Sequence, residues 1–200
     1  MQQGQVIDIP VPVVLASSSA TRHGLLKRLA AAFEVVPPHV VEAESGGESP
    51  QALALGRAEA KARDVAANRP DALVIGADTV VCCRDEIIGK PADRQDAVSI
   101  LTKLTRHPHR VLTALFLIAP DGRERSDCVG AAVRMRRMSP DEIEDYVSDP
   151  GMLDKAGAYA LQPDDPNVEE LNGPITAVMG LPLERLRELV EELYPASEGR

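Results

Sequence analysis

Short β-branched runs alternate along the chain with stretches whose apolar residues recur every three or four positions. This alternation predicts an α/β protein with a mixed sheet. Val11–Leu15 predicts the first buried strand. Ser17-Ser18-Ser19 then offers a hydroxyl cap to a helix with Leu25, Leu26, Leu29 and Phe33 on one face. Phe33–Val36 predicts a second strand, stopped by Pro37-Pro38, and residues 43–49 are loop by composition. Ser49-Pro50 supplies the cap and first position of an Ala-rich helix running to about Ala67. Ala72–Ala77 is an apolar run ending in Asp78-Thr79, and Val80–Cys83 and Glu86–Ile88 flank Arg84-Asp85 as a short hairpin.

Asp93–Leu104 reads as a helix. Val111–Ala119 and Arg125–Arg136 flank Pro120-Asp121-Gly122, a strong turn signal, and predict a long hairpin. Ser139-Pro140-Asp141-Glu142 combines a capping box with proline at the first helical position, so a helix should run to about Val147. Lys155-Ala156-Gly157-Ala158-Tyr159 predicts a tight backbone feature, Leu181–Leu193 an amphipathic helix, and Pro195–Arg200 a frayed tail.

The length, 200 residues, suits one domain or two tightly joined lobes. Such a chain buries roughly 70% of its unfolded surface and needs no disulfide or structural metal to fold. Lys plus Arg number 22 and Asp plus Glu 31, a net charge of −9. That argues against a mainly electrostatic binder of nucleic acid or anionic membrane. Aromatic content of 2% with no tryptophan argues against base stacking on aromatic platforms. Cys82, Cys83 and Cys128 form no C-x-x-C pair, which fits a reducing cytosol rather than a disulfide framework. The N-terminus lacks a basic signal region, and the longest apolar stretch, Val111–Ala119, is far below the ~20 residues that span a bilayer. The expectation is a cytoplasmic protein.

No Walker A sequence, dinucleotide fingerprint, H-E-x-x-H or G-x-S-x-G is present, and His23, His39, His107 and His109 lack metal-ligand spacing. Ser17-x-Ser19-x-x-Arg22 opens a helix after a strand. It reads either as capping with a solvated arginine or as an anion grip. Asp78, placed at a strand end, reads as a metal ligand, a general base or a turn cap. Glu42 offers a second carboxylate. Lys90 is held between Gly89 and Pro91, Lys61 lies within the Ala-rich helix, and Lys155 precedes the Gly/Ala turn. If Arg22, Lys61, Lys90 and Lys155 converge, their charge of about +4 matches the roughly −4 of a nucleoside triphosphate.

Taken together the segments resemble the Maf family of nucleoside triphosphate pyrophosphatases, which includes septum formation proteins. The matching stretches are Leu15–Arg22 with Leu25-Leu26, Glu42, Ala60-Lys61-Ala62, Gly76–Val81 and Gly89-Lys90-Pro91. They continue through His109-x-Val111-x-Thr113, Asp154–Tyr159 with Gln162, and Gly180–Leu183. They keep the family order over roughly residues 13–190. The resemblance implies one domain over residues 1–200 with two lobes about a cleft, and a long twisted mixed sheet similar to that of inosine triphosphate pyrophosphatases. It implies hydrolysis of a nucleoside triphosphate to monophosphate and pyrophosphate with a divalent cation (Mg, Mn or Co).

By the same resemblance Asp78 looks like the catalytic base, and Ser17, Ser19, Arg22, Lys61, Lys90 and Lys155 like substrate-binding residues. Glu42 and Asp78 look like metal ligands. Thr79 and Gln162 match the subgroup resembling dTTP/UTP pyrophosphatases, and Thr21 stands where that subgroup commonly has arginine. A relaxed enzyme, or one for modified nucleotides such as N7-methyl-GTP, is the alternative. So is a nucleotide-responsive regulator of septum formation without turnover. A homodimer is reasonable for the family. Gly173-Pro174-Ile175 replaces the usual Gly-Ser-Tyr, and proline removes a backbone donor there.

Overall fold

A computed structural model describes residues 6–41 and 45–195. Glu42, expected as a metal ligand, lies outside the described residues, as do 43–44 of the expected loop and 196–200 of the expected tail.

Among the described residues the sheet has seven strands: β1 Val13–Ala16, β2 Glu34–Val35, β3 Leu73–Cys83, β4 Glu86–Ile88, β5 His109–Ile118, β6 Glu124–Met135 and β7 Val168–Asn172. Its order is β2-β1-β3-β5-β6-β7, with β4 also on β3. The first three strands of that order run parallel, and every later pairing is antiparallel. The mixed sheet is therefore as the sequence predicts. The helices are α1 Ala20–Leu26, α2 Pro50–Ala66, α3 Arg94–Leu104, α4 Pro140–Tyr146, α5 Ile175–Val178 and α6 Leu183–Leu193. Ser19, Ser49, Asp93 and Ser139 cap α1 to α4, and Ser139 with Glu142 forms the full capping box. Among the described residues no helix is long and apolar enough to cross a membrane.

Two expectations need correction. The first helix ends at Leu26 rather than continuing to Phe33, yet Leu29 and Ala30 are buried without it. Burial of those side chains, not helical continuation, produced the apolar spacing. Second, Leu73–Cys83 is not a run that stops at Asp78 followed by a separate strand. It is one eleven-residue strand with Asp78 at its middle. The antiparallel partner β5 pairs with every residue from Val74 to Cys82, which carries the strand through Asp78-Thr79. Val168–Asn172, where the sequence predicts no element, is a largely exposed strand at the sheet edge.

The ladders on β3 open the site. β5 takes one edge of β3 along its length. The other edge is divided, with β1 on Leu73–Gly76 and β4 on Val81–Cys83. No described strand covers Ala77–Val80 on that edge. Arg84 and Asp85, at φ 52 and 64, make the tight turn that folds β4 back.

Side chains of alternate parity on β3 meet different cores. Leu73, Ile75 and Ala77 pack with Leu25, Leu26, Leu186 and Leu189 of α1 and α6. Val81 and Cys83, of the same parity, join a second cluster with Leu101, Leu104 and Ile143 of α3 and α4. Val74 and Val80, on the opposite face, pack with Ala54, Ala58 and Ala62 of α2. Gly76 shares that face. A Cβ there would lie 2.3 Å from the Ala58 carbonyl oxygen and 2.9 Å from Ala62 Cβ. Glycine is thus what lets α2 rest directly on β3.

Gly76→Ala should force these backbones apart and cost about 1–3 kcal/mol. Chemical denaturation measures this, and an unchanged midpoint would show that the close approach is not required.

Candidate active site

A cavity of about 1130 Å³ opens where β3 is left uncovered. It gathers Ser17, Ser19, Thr21, Arg22, Lys61, Asp78, Thr79, Lys90, Lys155 and Gln162. Every candidate residue named from the sequence, Glu42 aside, therefore lines one cleft. β1 delivers Ser17 to Arg22, β3 delivers Asp78 and Thr79, and α2 delivers Lys61. The chain after β4 brings Lys90, and the turn around Gly157 brings Lys155.

Asp78 follows Gly76 by two positions and so faces α2. Its Oδ1 accepts from Lys61 Nζ at 2.6 Å, and Arg57 Nη1 lies 3.9 Å from Oδ2. Asp78 is 4% exposed and Lys61 8%. Oδ2 is buried and accepts no hydrogen bond among the described residues. A lysine and a carboxylate withdrawn from water this far depend on each other, since removing either leaves an uncompensated buried charge. Arg57 was not singled out from sequence. The available signal was its place four residues before Lys61, hence on the same helix face.

Ser19 shows that capping and site-lining coexist. Its Oγ accepts from the Arg22 amide at 3.3 Å, and Ser17 Oγ accepts from the Ser19 amide at 3.1 Å. Both residues still border the cleft. Arg22 is not the solvated arginine of the capping reading. Its Nε donates to the Gly180 carbonyl at 2.7 Å and its Nη2 to Thr79 Oγ1 at 3.0 Å.

Thr79 sits opposite Thr113 on β5, their hydroxyls 2.8 Å apart, and Thr113 donates to the Ala177 carbonyl at 2.7 Å. A hydroxyl has one proton. Thr113 spends its own on Ala177, so Thr79 donates to Thr113 and accepts from Arg22. The proton order therefore runs Arg22 to Thr79 to Thr113 to Ala177. The site uses Thr113 and the α5–Gly180 carbonyls in a way the sequence did not reveal. Pro174 is harmless here because it caps α5, where a backbone donor would have no helical partner.

Tyr159 closes another wall. Its hydroxyl meets His109 Nε2 at 2.8 Å, with the rings edge to face. Burial holds His109 far below the ordinary histidine range, at about 4, and pushes the Tyr159 phenol up. Gly157, at φ 79, and Ala158, at φ 56, make the tight turn that presents Tyr159 and Lys155.

A model of the Maf family, described as Maf-like protein, matches residues 12–193, and the chain belongs to that family. It is 42% identical over 182 residues to a dTTP/UTP pyrophosphatase of Aquifex aeolicus, covering 90% of this chain and 95% of that one. It is 39% identical over 183 residues to a dTTP/UTP pyrophosphatase of Syntrophus aciditrophicus, covering 90% of this chain and 89% of that one. Among solved structures, the Ham1 protein of Staphylococcus aureus aligns at 15% identity with a TM-score of 0.45, over 62% of this chain and 71% of that one.

The His109 imidazole predicts an acid-labile fold. The unfolded chain binds its proton near pH 6.5 and the folded one only near 4, so stability is full above 6.5 and falls as pH drops through that window. Between pH 7 and 5 this one group should cost about 2 kcal/mol. Urea denaturation at both pH values measures the loss. His109→Gln should make it smaller, and an identical loss in that variant would refute the assignment.

Proposed function

We propose that the cleft hydrolyses a nucleoside triphosphate of the dTTP/UTP type to the monophosphate and pyrophosphate, with Asp78 at the reacting centre. The observation that carries this is the buried Lys61–Asp78 pair in a cleft bordered by Arg22, Arg57, Lys90 and Lys155. The names of the two relatives support the substrate class.

In this reading a water attacks the α-phosphorus, the bond to the β-phosphate oxygen breaks, and pyrophosphate leaves. Asp78 Oδ2 takes the water's proton, while Lys61 keeps Oδ1 fixed. Lys90 and Lys155 offset the charge gathering on the leaving group. Ser17 and Ser19 donate to phosphate oxygens at the end of β1. The whole chain acts as one domain. The α1–α6 and α3–α4 clusters form two lobes on either side of the cleft.

A divalent cation fits this residue set. Asp78 lines the cleft and its buried Oδ2, which accepts no hydrogen bond among the described residues, is a hard oxygen donor, and Glu42 is the second candidate ligand. Among the described residues no three His, Cys, Asp or Glu cluster for a metal. Magnesium does not require one, since it is often held by one or two carboxylates with phosphate oxygens and water. When bound, such an ion polarises the phosphate and acidifies the attacking water.

The fixed proton order also bears on base choice. With its proton committed to Thr113, Thr79 has only acceptor capacity left to offer a base. Thymine and uracil present a ring N–H donor, whereas cytosine presents an acceptor at the same atom. Gln162, whose amide both donates and accepts, borders the same cleft and supplies a second contact.

The test is pyrophosphate release from dTTP, UTP, CTP, ATP, GTP and N7-methyl-GTP with Mg²⁺ or Mn²⁺. Turnover of dTTP and UTP above CTP is expected. Asp78→Asn should lower it by at least about a hundredfold while the circular dichroism spectrum is retained. Near-normal activity in that variant would overturn the role of Asp78, and turnover centred on CTP would overturn the base assignment.

A further inference from the structure

Away from the cleft, the loop after α3 and the end of β6 enclose a second, smaller cavity of about 370 Å³, bordered by Arg106, His107, Arg134, Arg136, Arg137 and Glu169. Four guanidiniums around one hollow are unusual in a chain of net charge −9. None of these residues belongs to the nucleotide cleft.

Carboxylates answer only half of this charge. Arg134 reaches Glu170 at 3.5 Å and Arg136 reaches Glu142 at 2.9 Å. Arg106 and Arg137 have no carboxylate partner among the described residues. Arg136 is also fixed in place. Its Nε donates to Asn167 Oδ1 at 3.1 Å and its Nη1 to the Arg137 carbonyl at 3.2 Å. The β6–β7 register shifts between Arg134 and Met135, the kind of irregularity that re-aims neighbouring side chains. Met135 is buried beneath the arginines. A hollow of this volume lies at the lower end of the range for small-ligand sites. Guanidiniums match the geometry of phosphate oxygens.

We propose that this hollow is a binding site for a small phosphate-bearing dianion, with Arg106 and Arg137 as its principal contacts and Arg136 as a preset wall. A free diphosphate and the phosphate of a nucleotide monoester share the required chemistry. The small volume and the acidic chain disfavour a nucleic acid. The site does not depend on turnover in the cleft.

His107 is a built-in reporter. Its imidazole is held below the ordinary range by desolvation and then by Arg84, Arg106, Lys103 and Arg137. A bound anion offsets that repulsion and moves its titration upward. The experiment follows the His107 ring proton by NMR against pH, assigned with His107→Gln, in metal-free buffer at constant ionic strength. Inorganic pyrophosphate and UMP are the two probes, with chloride as the ionic-strength control. Either probe should raise the midpoint by about half a pH unit or more beyond chloride. Pyrophosphate alone acting assigns the site to the inorganic anion, and equal action assigns it to any phosphate group.

The exposed pair Arg106→Gln/Arg137→Gln should raise the midpoint without ligand and remove the response to the probes. A midpoint that neither probe moves beyond chloride would overturn the proposal, as would a full response in the double variant.

Discussion

Lys61 reaches Asp78 because α2 lies on β3 with almost nothing between them. Gly76 contributes no side chain, Ala58 and Ala62 contribute one carbon each, and the helix settles onto the strand backbone. One step further along the same face, the lysine meets the carboxylate at 2.6 Å. Any larger residue at 76 would lift the helix and open the ion pair. A buried pair of this kind is a weak source of net stability, yet it fixes where one carboxylate oxygen points. The other oxygen is buried without a hydrogen-bond donor among the described residues, 3.9 Å from Arg57 Nη1, in a residue that lines the cleft opened by the divided edge of β3. The close approach, the pairing and the uncovered strand edge together set the chemistry.

A second network joins the cleft to the far end of the chain. Thr79 and Thr113 occupy the register position between two apolar clusters on one face of the sheet. Their hydroxyls carry a directed set of hydrogen bonds from Arg22 to the Ala177 carbonyl, while Arg22 also holds Gly180. Polar atoms at that depth need partners. Their mutual satisfaction ties α1, β3, β5 and the α5 turn into one frame around the site. His109 does the same for Tyr159 on the opposite wall by remaining uncharged.

Much of this was legible in the residues. Caps at Ser49 and Ser139, a hydroxyl cap within Ser17–Ser19, and the Pro120-Asp121-Gly122 turn are local chemistry and landed where the sequence placed them. Motif order identified the cleft residues, because the family resemblance carries positions that propensity cannot. The long β3 was misread because a mid-strand aspartate looks like a strand end until its antiparallel partner is known. β7 was missed because its two half-buried residues, Val168 and Leu171, sit three apart at a register shift instead of alternating. Arg57 and Thr113 act through neighbours brought by tertiary contact, Asp78 for one, Thr79 and Ala177 for the other. No local spacing announced the second arginine hollow, which forms only when α3 and β6 meet.

The central claim is that Asp78, fixed by Lys61, faces the α-phosphate of a bound nucleotide. The most direct test is a crystal structure with the non-hydrolysable analogue α,β-imido-dUTP and Mg²⁺. The account predicts the α-phosphate beside Asp78 Oδ2, with a water in line for attack, the Lys61–Asp78 contact intact, and the β- and γ-phosphates toward Lys90 and Lys155. A nucleotide bound with its γ-phosphate or its base against Asp78, or with the Lys61–Asp78 contact broken, would contradict it.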